Sequence, residues 1–399
     1  MSKLVRLHIK NYRSLADLSF KVGSINIFFG PNGSGKSTIL DVLRFLKDCA
    51  VRSVDYAASR RDLGVGLLWD GAEEGETTSI VLETQKTKYD LSFGYSAGRI
   101  DPFVGENLYS TISNQSNLIS RSVGSKQAQI WSLKDEKQEI IDLFEPEKLA
   151  LITHISSEGL DDISYEIYKY LRLLRFYNTR EIDLKRLKKR GSESGSTFEL
   201  NENCENLWSV LRNLHDRQAM DYRYNIIIQF MREAFPSFEN IFFEQTSPSS
   251  VYAYFIDKKL SNPIPISGIS DGHLQMLINL TILFSERRQN EEYSTILLDE
   301  PDLSLHPWAL SIFAKAVKLA AKEWNKPIFI ATHSPVLISQ FDNQDIISTS
   351  QDKRGRTILT RVSEMKDIQD LLEQYATGSL YMSEAIAPQS QLSAEEIVT

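Results

Sequence analysis

The feature that most constrains the fold is a glycine-rich segment near the N-terminus. Residues 30–38 read GPNGSGKST and fit the pattern G-x-x-x-x-G-K-[ST]. Glycines in this pattern let backbone N–H groups turn inward around phosphate oxygens. A short apolar run at residues 25–29 precedes the segment, and residues 38–48 follow with apolar side chains at helical spacing. The order strand, glycine loop, helix therefore predicts a phosphate-binding loop at a helix N-terminus.

Each position of this loop has an expected role. Lys36 would reach the β- and γ-phosphates of a nucleotide, and the Ser37 hydroxyl would bind Mg²⁺. The residues expected to surround the phosphates are Asn32, Gly33, Ser34, Gly35, Lys36, Ser37 and Thr38.

A second motif supplies carboxylates. Residues 295–300 read TILLDE, an apolar strand that ends in two acids. Asp299 would hold Mg²⁺ and Glu300 would polarise an attacking water. Alone, the motif is equally typical of an acidic turn, but a phosphate loop in the same chain favours a catalytic pair.

The order of three further segments along the chain indicates a class of protein. Residues 267–273 (SGISDGH) precede the carboxylates, residues 301–307 (PDLSLHP) follow them, and residues 331–335 (ATHSP) end the next predicted strand. This series resembles the ABC ATPase superfamily, with its Walker A loop, signature motif, Walker B strand with a glutamate, D-loop and switch histidine. Within that superfamily the chain resembles the RecF/SMC-like, OLD/Septu-like AAA family ATPases, whose opening is similar to residues 7–15 (LHIKNYRSL).

The resemblance implies roles for residues outside the two main motifs. Ser270 and Gly272 would complete the nucleotide site of an opposite subunit, Ser270 by a hydrogen bond to the γ-phosphate. His333 would sense that phosphate and act with Glu300 and Lys36 in catalysis. Arg13 matches a basic residue that reaches the nucleotide phosphates in SMC-like heads.

Other positions stay open between alternatives. His306 serves either the ATP machinery or the start of a helix before Pro307. The resemblance also implies a glutamine that binds Mg²⁺, for which the candidates are Gln115, Gln127 and Gln129. Tyr12 is a weak candidate for stacking on adenine.

Composition limits the partners. The net charge of -8 argues against a generally basic nucleic-acid coat. A basic run at residues 185–190 would either contact nucleic-acid phosphates or form a solvated loop. Two cysteines give no disulfide framework, and the sequence has neither an apolar run of 18 residues nor a signal peptide, so a cytoplasmic protein without a membrane partner is expected.

The resemblance implies an α/β fold. An ABC-type ATPase head would combine a parallel core sheet carrying the phosphate loop with an antiparallel β-region. The expected division is an N-terminal lobe at 1–100, a mainly helical insertion at 101–244, a C-terminal lobe at 245–365, and a helix with a disordered tail at 366–399. Within the insertion, helices are predicted at residues 136–144, 165–174 and 223–234.

The resulting hypothesis is an ATP-hydrolysing switch in DNA surveillance or anti-phage defence. ATP and Mg²⁺ would join heads into a homodimer or higher oligomer, with DNA and a separate nuclease or toxin effector as partners. The alternatives are a RecF-like repair or recombination ATPase and a scaffold in which ATP only holds an oligomer together. The 66 residues after His333 are too few for an OLD-type nuclease domain, so no nuclease is expected within this sequence.

Overall fold

The computed structural model describes residues 4–111, 117–132, 135–158, 162–247, 249–286, 294–365 and 369–387. The strands are β1 (Leu4–Tyr12), β2 (Leu15–Lys21), β3 (Ile25–Phe29), β4 (Thr78–Thr84), β5 (Thr87–Phe93), β6 (Tyr95–Ser96), β7 (Arg99–Ile100), β8 (Gly105–Ser110), β9 (Asn117–Arg121), β10 (Gln127–Ser132), β11 (Lys137–Asp142), β12 (Leu174–Asn178), β13 (Ser192–Glu193), β14 (Phe238–Ser247), β15 (Ser250–Asp257), β16 (Ile264–Pro265), β17 (Thr295–Asp299), β18 (Ile328–Thr332), β19 (Ile346–Gln351) and β20 (Thr357–Arg361). The helices are α1 (Lys36–Val51), α2 (Val54–Ser59), α3 (Ala150–Glu158), α4 (Asp162–Arg172), α5 (Leu184–Arg190), α6 (Leu207–His215), α7 (Arg223–Ala234), α8 (Asp271–Phe284), α9 (Pro307–Glu323), α10 (Pro335–Ile338), α11 (Gln369–Gln374) and α12 (Thr377–Met382).

Eight strands form an antiparallel sheet in the order β11-β10-β9-β8-β5-β4-β1-β2. In β2, β5 and β10, buried residues alternate with more exposed ones, because one face packs on the core and the other meets water. In β1, Leu7 and Ile9 are fully buried whereas Lys10 is exposed.

A second sheet, in the order β12-β17-β18-β3-β19-β20, carries the motifs. Its first five strands run parallel, and β20 pairs antiparallel with β19. All five residues are buried in each of β3, β17 and β18, as expected for parallel strands covered on both faces. The carboxyl ends of parallel strands meet at one edge, so the loops after β12, β17, β18 and β3 converge there.

Two hydrophobic cores lie on the two faces of this parallel sheet. Phe28 of β3 packs with α1 and the antiparallel sheet, and its neighbour Phe29 packs with α8, α9 and the C-terminal helices. Each buried phenylalanine contributes about 1.5–3 kcal/mol to folding. The cores thereby fix β3, and with it the phosphate loop, from both sides.

The expectation of a mainly helical insertion is wrong for the described residues within 105–142. Strands β8 to β11 extend the antiparallel sheet, and the helix expected at residues 136–144 is instead β11. Glu and Lys in this segment favour a helix locally, but pairing along β10 over six residue pairs overrides that preference. The helix expected at 223–234 is confirmed as α7, while the helix expected at 165–174 is found as α4 (Asp162–Arg172), which ends before β12 begins at Leu174. The four-part division of the chain stays a prediction.

Two further expectations concern the second half of the chain. The basic run at residues 185–190 lies in a short helix, α5, rather than in a loop. The tail after Pro388 lies outside the described residues. In the described ranges, no helix is both long enough and apolar enough to cross a membrane.

Candidate nucleotide site

The phosphate loop joins β3 to α1 and depends on glycine at two turns. Gly33 (φ 77°) and Gly35 (φ 100°) adopt left-handed backbone conformations that cost glycine little. A Cβ on Gly35 would come within 2.4 Å of the Thr357 hydroxyl, whereas one on Gly33 would meet nothing within 4 Å. The loop is therefore tightly held at its helix end and open at Gly33.

Some polar side chains of the phosphate loop hold the loop in place, and others lie at its exposed edge. The Ser34 hydroxyl is buried and lies 2.6 Å from the Thr349 hydroxyl, so it ties the loop to β19. Asn32 is exposed at the rim, and Thr38 is half-buried in the first turn of α1. The N-terminal amides of α1 form the usual anion-binding end of a helix.

Lys36 is folded back onto the loop. Its Nζ donates to the carbonyl oxygens of Gly30 and Pro31 at 2.9 and 2.8 Å. Burial lowers the pKa of Lys36 to about 8, although the carboxylates of Asp299 and Glu300 oppose that shift. A phosphate placed in the loop would supply a close anionic partner and so favour the charged form.

Ser37 and Asp299 are brought together from opposite ends of the sequence. The Ser37 hydroxyl donates to Oδ1 of Asp299 at 2.9 Å. Burial raises the pKa of Asp299 to about 6, against the Ser37 hydrogen bond, which lowers it. Because Mg²⁺ prefers oxygen ligands and commonly binds through one carboxylate plus substrate phosphates, this pair fits a magnesium site.

Glu300 follows Asp299 in a left-handed conformation (φ 52°), and its N–H donates to the carbonyl of Ala331 at the end of β18. His333 Nε2 lies 3.8 Å from Glu300 Oε1. Burial, followed by the nearby Lys36 charge, lowers the pKa of His333 and favours the neutral ring. The predicted catalytic residues Lys36, Glu300 and His333 thus lie at one edge of the parallel sheet.

Arg180 is a site residue that the motifs did not reveal. Its Nε and Nη2 donate to the two carboxylate oxygens of Glu300 at 2.5 and 2.9 Å, a two-pronged ion pair. It follows β12, whose last residue, Asn178, pairs in register with Asp299 of β17. The sequence signal that could have indicated Arg180 is the short strand β12 followed by polar residues, the pattern that also precedes Asp299 and Glu300.

Ser270 and Gly272 lie at the start of α8. The Ser270 hydroxyl caps the helix by accepting from the His273 N–H at 3.3 Å, and it also lies 2.7 Å from His273 Nδ1. A Cβ on Gly272 would come within 2.8 Å of the Ser304 carbonyl in the loop after Glu300. Ser270 is exposed, and in the described part of the chain its contacts are with its own helix rather than with the phosphate loop.

Two N-terminal candidates meet at α1. The Tyr12 hydroxyl donates to Asp41 at 2.8 Å, and the Tyr12 side chain is only 1% exposed. The expectation that Tyr12 stacks on adenine is therefore wrong, because its ring is enclosed by the core. Arg13 lies 3.6 Å from the same Asp41 carboxylate and is partly exposed, so its predicted phosphate contact stays a prediction.

The remaining candidates take structural positions. His306 caps α9 by accepting from the Trp308 N–H at 3.3 Å, which supports the helix-start alternative. Gln127 and Gln129 lie on β10, near the end of the antiparallel sheet remote from β1, and Gln115 lies outside the described residues. A glutamine that does contact the phosphate loop is Gln351, whose Nε2 donates to the Gly33 carbonyl at 2.9 Å.

Together, the parallel sheet with its glycine loop, the antiparallel sheet and α8, the signature helix that begins at Ser270, define an ABC-type ATPase head of the OLD/SMC-like group. The chain belongs to the family described as "AAA domain, putative AbiEii toxin, Type IV TA system", whose model matches residues 25–339.

The chain is also similar to two curated proteins and to a solved structure. The chain is 23% identical to "Endonuclease GajA" of Bacillus cereus over 371 residues, covering 86% of this chain and 58% of GajA. It is 19% identical to the "OLD nuclease" of Thermus scotoductus over 397 residues, covering 95% of this chain and 68% of that protein. An SMC head bound to the C-winged helix domain of ScpA is 12% identical with a TM-score of 0.48, covering 92% of this chain and 99% of that chain.

Proposed function

We propose that the chain binds ATP with Mg²⁺ and hydrolyses it, and that it does so as one half of a nucleotide-gated dimer. The observation that carries this proposal is the meeting of Lys36, the Ser37–Asp299 pair and the Glu300–His333 pair at one sheet edge, from positions up to 297 residues apart.

Each group has a distinct task in this reaction. The loop amides and Lys36 hold the phosphates, and Glu300 accepts a proton from the attacking water. Mg²⁺, held by Ser37 and Asp299, would neutralise charge on the β- and γ-phosphates. His333, neutral because of burial, can donate one hydrogen bond towards the γ-phosphate while its other nitrogen accepts one.

The dimer is proposed because the site lacks one expected part within a single chain. Ser270 and Gly272 lie exposed or half-exposed at the N-terminus of α8, where the helix dipole favours an anion. Placed against the phosphate loop of a second copy, this end of α8 would close both nucleotide sites at once. ATP would thus join two heads and hydrolysis would release them.

The cellular role proposed is DNA surveillance or anti-phage defence with a separate nuclease or toxin effector. In support, both curated relatives are named as nucleases, and this chain spans 58% and 68% of their lengths. Within the described ranges, no group of three or more His, Cys, Asp or Glu residues could hold a metal ion.

The test of hydrolysis is Glu300→Gln. This variant should bind ATP but turn over at least about 100-fold more slowly, the usual scale for losing a general base. It should also accumulate as an ATP-bound dimer in light scattering. The matched control is Glu323→Gln, an exposed glutamate on α9, which should behave as wild type.

Equal turnover in Glu300→Gln and wild type would contradict the assigned base. A folded wild-type chain that neither binds nor hydrolyses ATP would contradict the proposed function as a whole.

A further inference from the structure

Helix α8 carries two amide side chains deep in a largely apolar segment. Gln275 and Asn279 are 0% and 1% exposed, and they lie one turn apart on the same face of the helix. Gln275 Nε2 donates to Asn279 Oδ1 at 3.0 Å, while Gln275 Oε1 has no hydrogen-bond partner among the residues that the structure describes. Buried amides are unfavourable unless they are hydrogen-bonded, so a pair kept here with one atom unsatisfied calls for a reason.

These two side chains reach outward to the two loops that carry the Arg180–Glu300 ion pair. Gln275 Nε2 lies 3.5 Å from the Thr179 hydroxyl, immediately before Arg180. Asn279 Nδ2 donates to the carbonyl of Pro301, immediately after Glu300, at 2.8 Å. The contacts close a ring, which we call the α8 ring, formed by Thr179, Arg180, Glu300, Pro301, Asn279 and Gln275.

The ring has a consequence for Glu300. Its carboxylate is held by Arg180 on one side, and its backbone is followed directly by the residue that Asn279 holds. Any shift of α8 therefore moves both supports of the catalytic carboxylate together.

The same helix begins at Ser270, the residue proposed to contact the nucleotide of the opposite head. From Ser270 to Gln275 is five residues, or about 7.5 Å along a helix. Gly272 additionally packs against the Ser304 carbonyl, so the start of α8 touches the loop after Glu300 as well. A rigid helix thus joins the surface facing the partner to the supports of Glu300.

We propose that Gln275 and Asn279 are positioning residues that couple the signature helix to Glu300 through Arg180. When Ser270 contacts the nucleotide in one site, α8 positions Glu300 of the same chain for catalysis in the other site. The two sites therefore hydrolyse ATP cooperatively. This inference rests on the proposed function, because it needs two heads that share their nucleotides.

The test replaces Gln275 by methionine, which keeps its shape and removes its hydrogen bonds. Steady-state ATP turnover should show kcat lowered about 2- to 30-fold, the range seen for residues that carry coupling. The KM for ATP should stay nearly unchanged because the phosphate loop is intact, and the Hill coefficient should fall towards 1. The control is Thr281→Val on the same helix, since Thr281 bonds only to its own helix at the Leu277 carbonyl and should leave kcat and cooperativity unaltered.

A double variant separates coupling from simple loss of packing. If Gln275 acts through Arg180, then Gln275→Met should add little to the defect of Arg180→Gln. If Gln275→Met fails to fold, Thr179→Val breaks the same ring from outside α8 and should reproduce the loss of cooperativity.

The outcomes distinguish the two proposals. Cooperative wild-type turnover together with wild-type kcat and Hill coefficient in the ring variants would overturn the coupling alone, as would fully additive defects in the double variant. A folded wild-type chain with no turnover would overturn the proposed function and the coupling with it.

Discussion

The fold places the Lys36 ammonium group where a phosphate would be its best partner. Burial lowers its pKa to about 8, and its Nζ is bound only by the carbonyls of Gly30 and Pro31 and by no adjacent carboxylate at hydrogen-bond distance in the described structure. A phosphate is a better partner for this ammonium group than two carbonyls, because charge-assisted hydrogen bonds are stronger.

Lys36→Ala should therefore reduce ATP affinity by at least about tenfold, which corresponds to the loss of one hydrogen-bonded charge. Isothermal titration with ATP and Mg²⁺ measures this directly. Lys322→Ala removes an exposed lysine from α9 and should bind ATP as wild type does. Unchanged affinity in Lys36→Ala would show that the loop is not the phosphate site.

At the scale of residues, the sequence predicted those site residues that belong to short local motifs. Lys36, Ser37, Asp299 and Glu300 belong to short motifs with fixed spacing, and the structure brings them together. Arg180 was not predicted as a site residue, because its partner Glu300 is 120 positions away and no motif surrounds it. A pair of this kind becomes visible only when the register of β12 against β17 is known.

At the scale of elements, the apolar strands and amphipathic helices were predictable and the outer strands were not. β3 and β17 are short apolar runs that end in motifs, so their sequence alone marks them. β11 is largely solvent-facing, with Ile140 68% exposed, and carries no apolar alternation. Its strand conformation comes from pairing with β10, which is a tertiary effect that local propensity does not contain.

The loop before β19 contains a carboxyl group that lowers the free energy of unfolding at neutral pH. Asp345 precedes β19, and its backbone carbonyl accepts from the Ile27 N–H of β3. Burial, with help from Asp342, raises the pKa of Asp345 to about 6. Because the folded pKa lies above the unfolded value, the folded state binds the extra proton and loses stability as the pH rises through about 4 to 6.

Asp345→Asn should therefore stabilise the chain at pH 7.5. The full shift would correspond to about 3 kcal/mol, but the carboxyl is only half-buried, so solvent screening reduces the expected gain to about 1 kcal/mol. Urea unfolding at pH 7.5 and at pH 4 measures the difference, and the gain should disappear at the lower pH. Glu364→Gln, at an exposed glutamate, is the control. A destabilised Asp345→Asn at pH 7.5 would contradict the assigned cost.

At the scale of the whole molecule, the two ends of the chain build one sheet. β3 lies between β18 and β19, so the phosphate loop and the carboxylates share a scaffold although about 265 residues separate them. The family resemblance gave this arrangement, whereas hydrophobic periodicity did not, since periodicity identifies elements and not their neighbours. The exposed N-terminus of α8 is the part of the chain that we propose completes the nucleotide site of a second copy.

We propose that each ATP is hydrolysed between two copies of this chain. Ser270→Arg should leave ATP binding to the phosphate loop intact but block hydrolysis in the homodimer. Lys36→Ala should also be inactive, for the separate reason that it does not hold the nucleotide. Each variant retains the half of the composite site that the other lacks.

The most direct measurement is the ATPase rate of a 1:1 mixture of these two inactive variants, with heterodimers counted by differential tagging. Random pairing makes about half of the dimers mixed, each with one of its two sites complete. The mixture should therefore recover up to about a quarter of the wild-type rate, the value for independent sites, and less where coupling between the sites is lost. A mixture that contains heterodimers and yet stays as inactive as either variant alone would contradict hydrolysis between two copies.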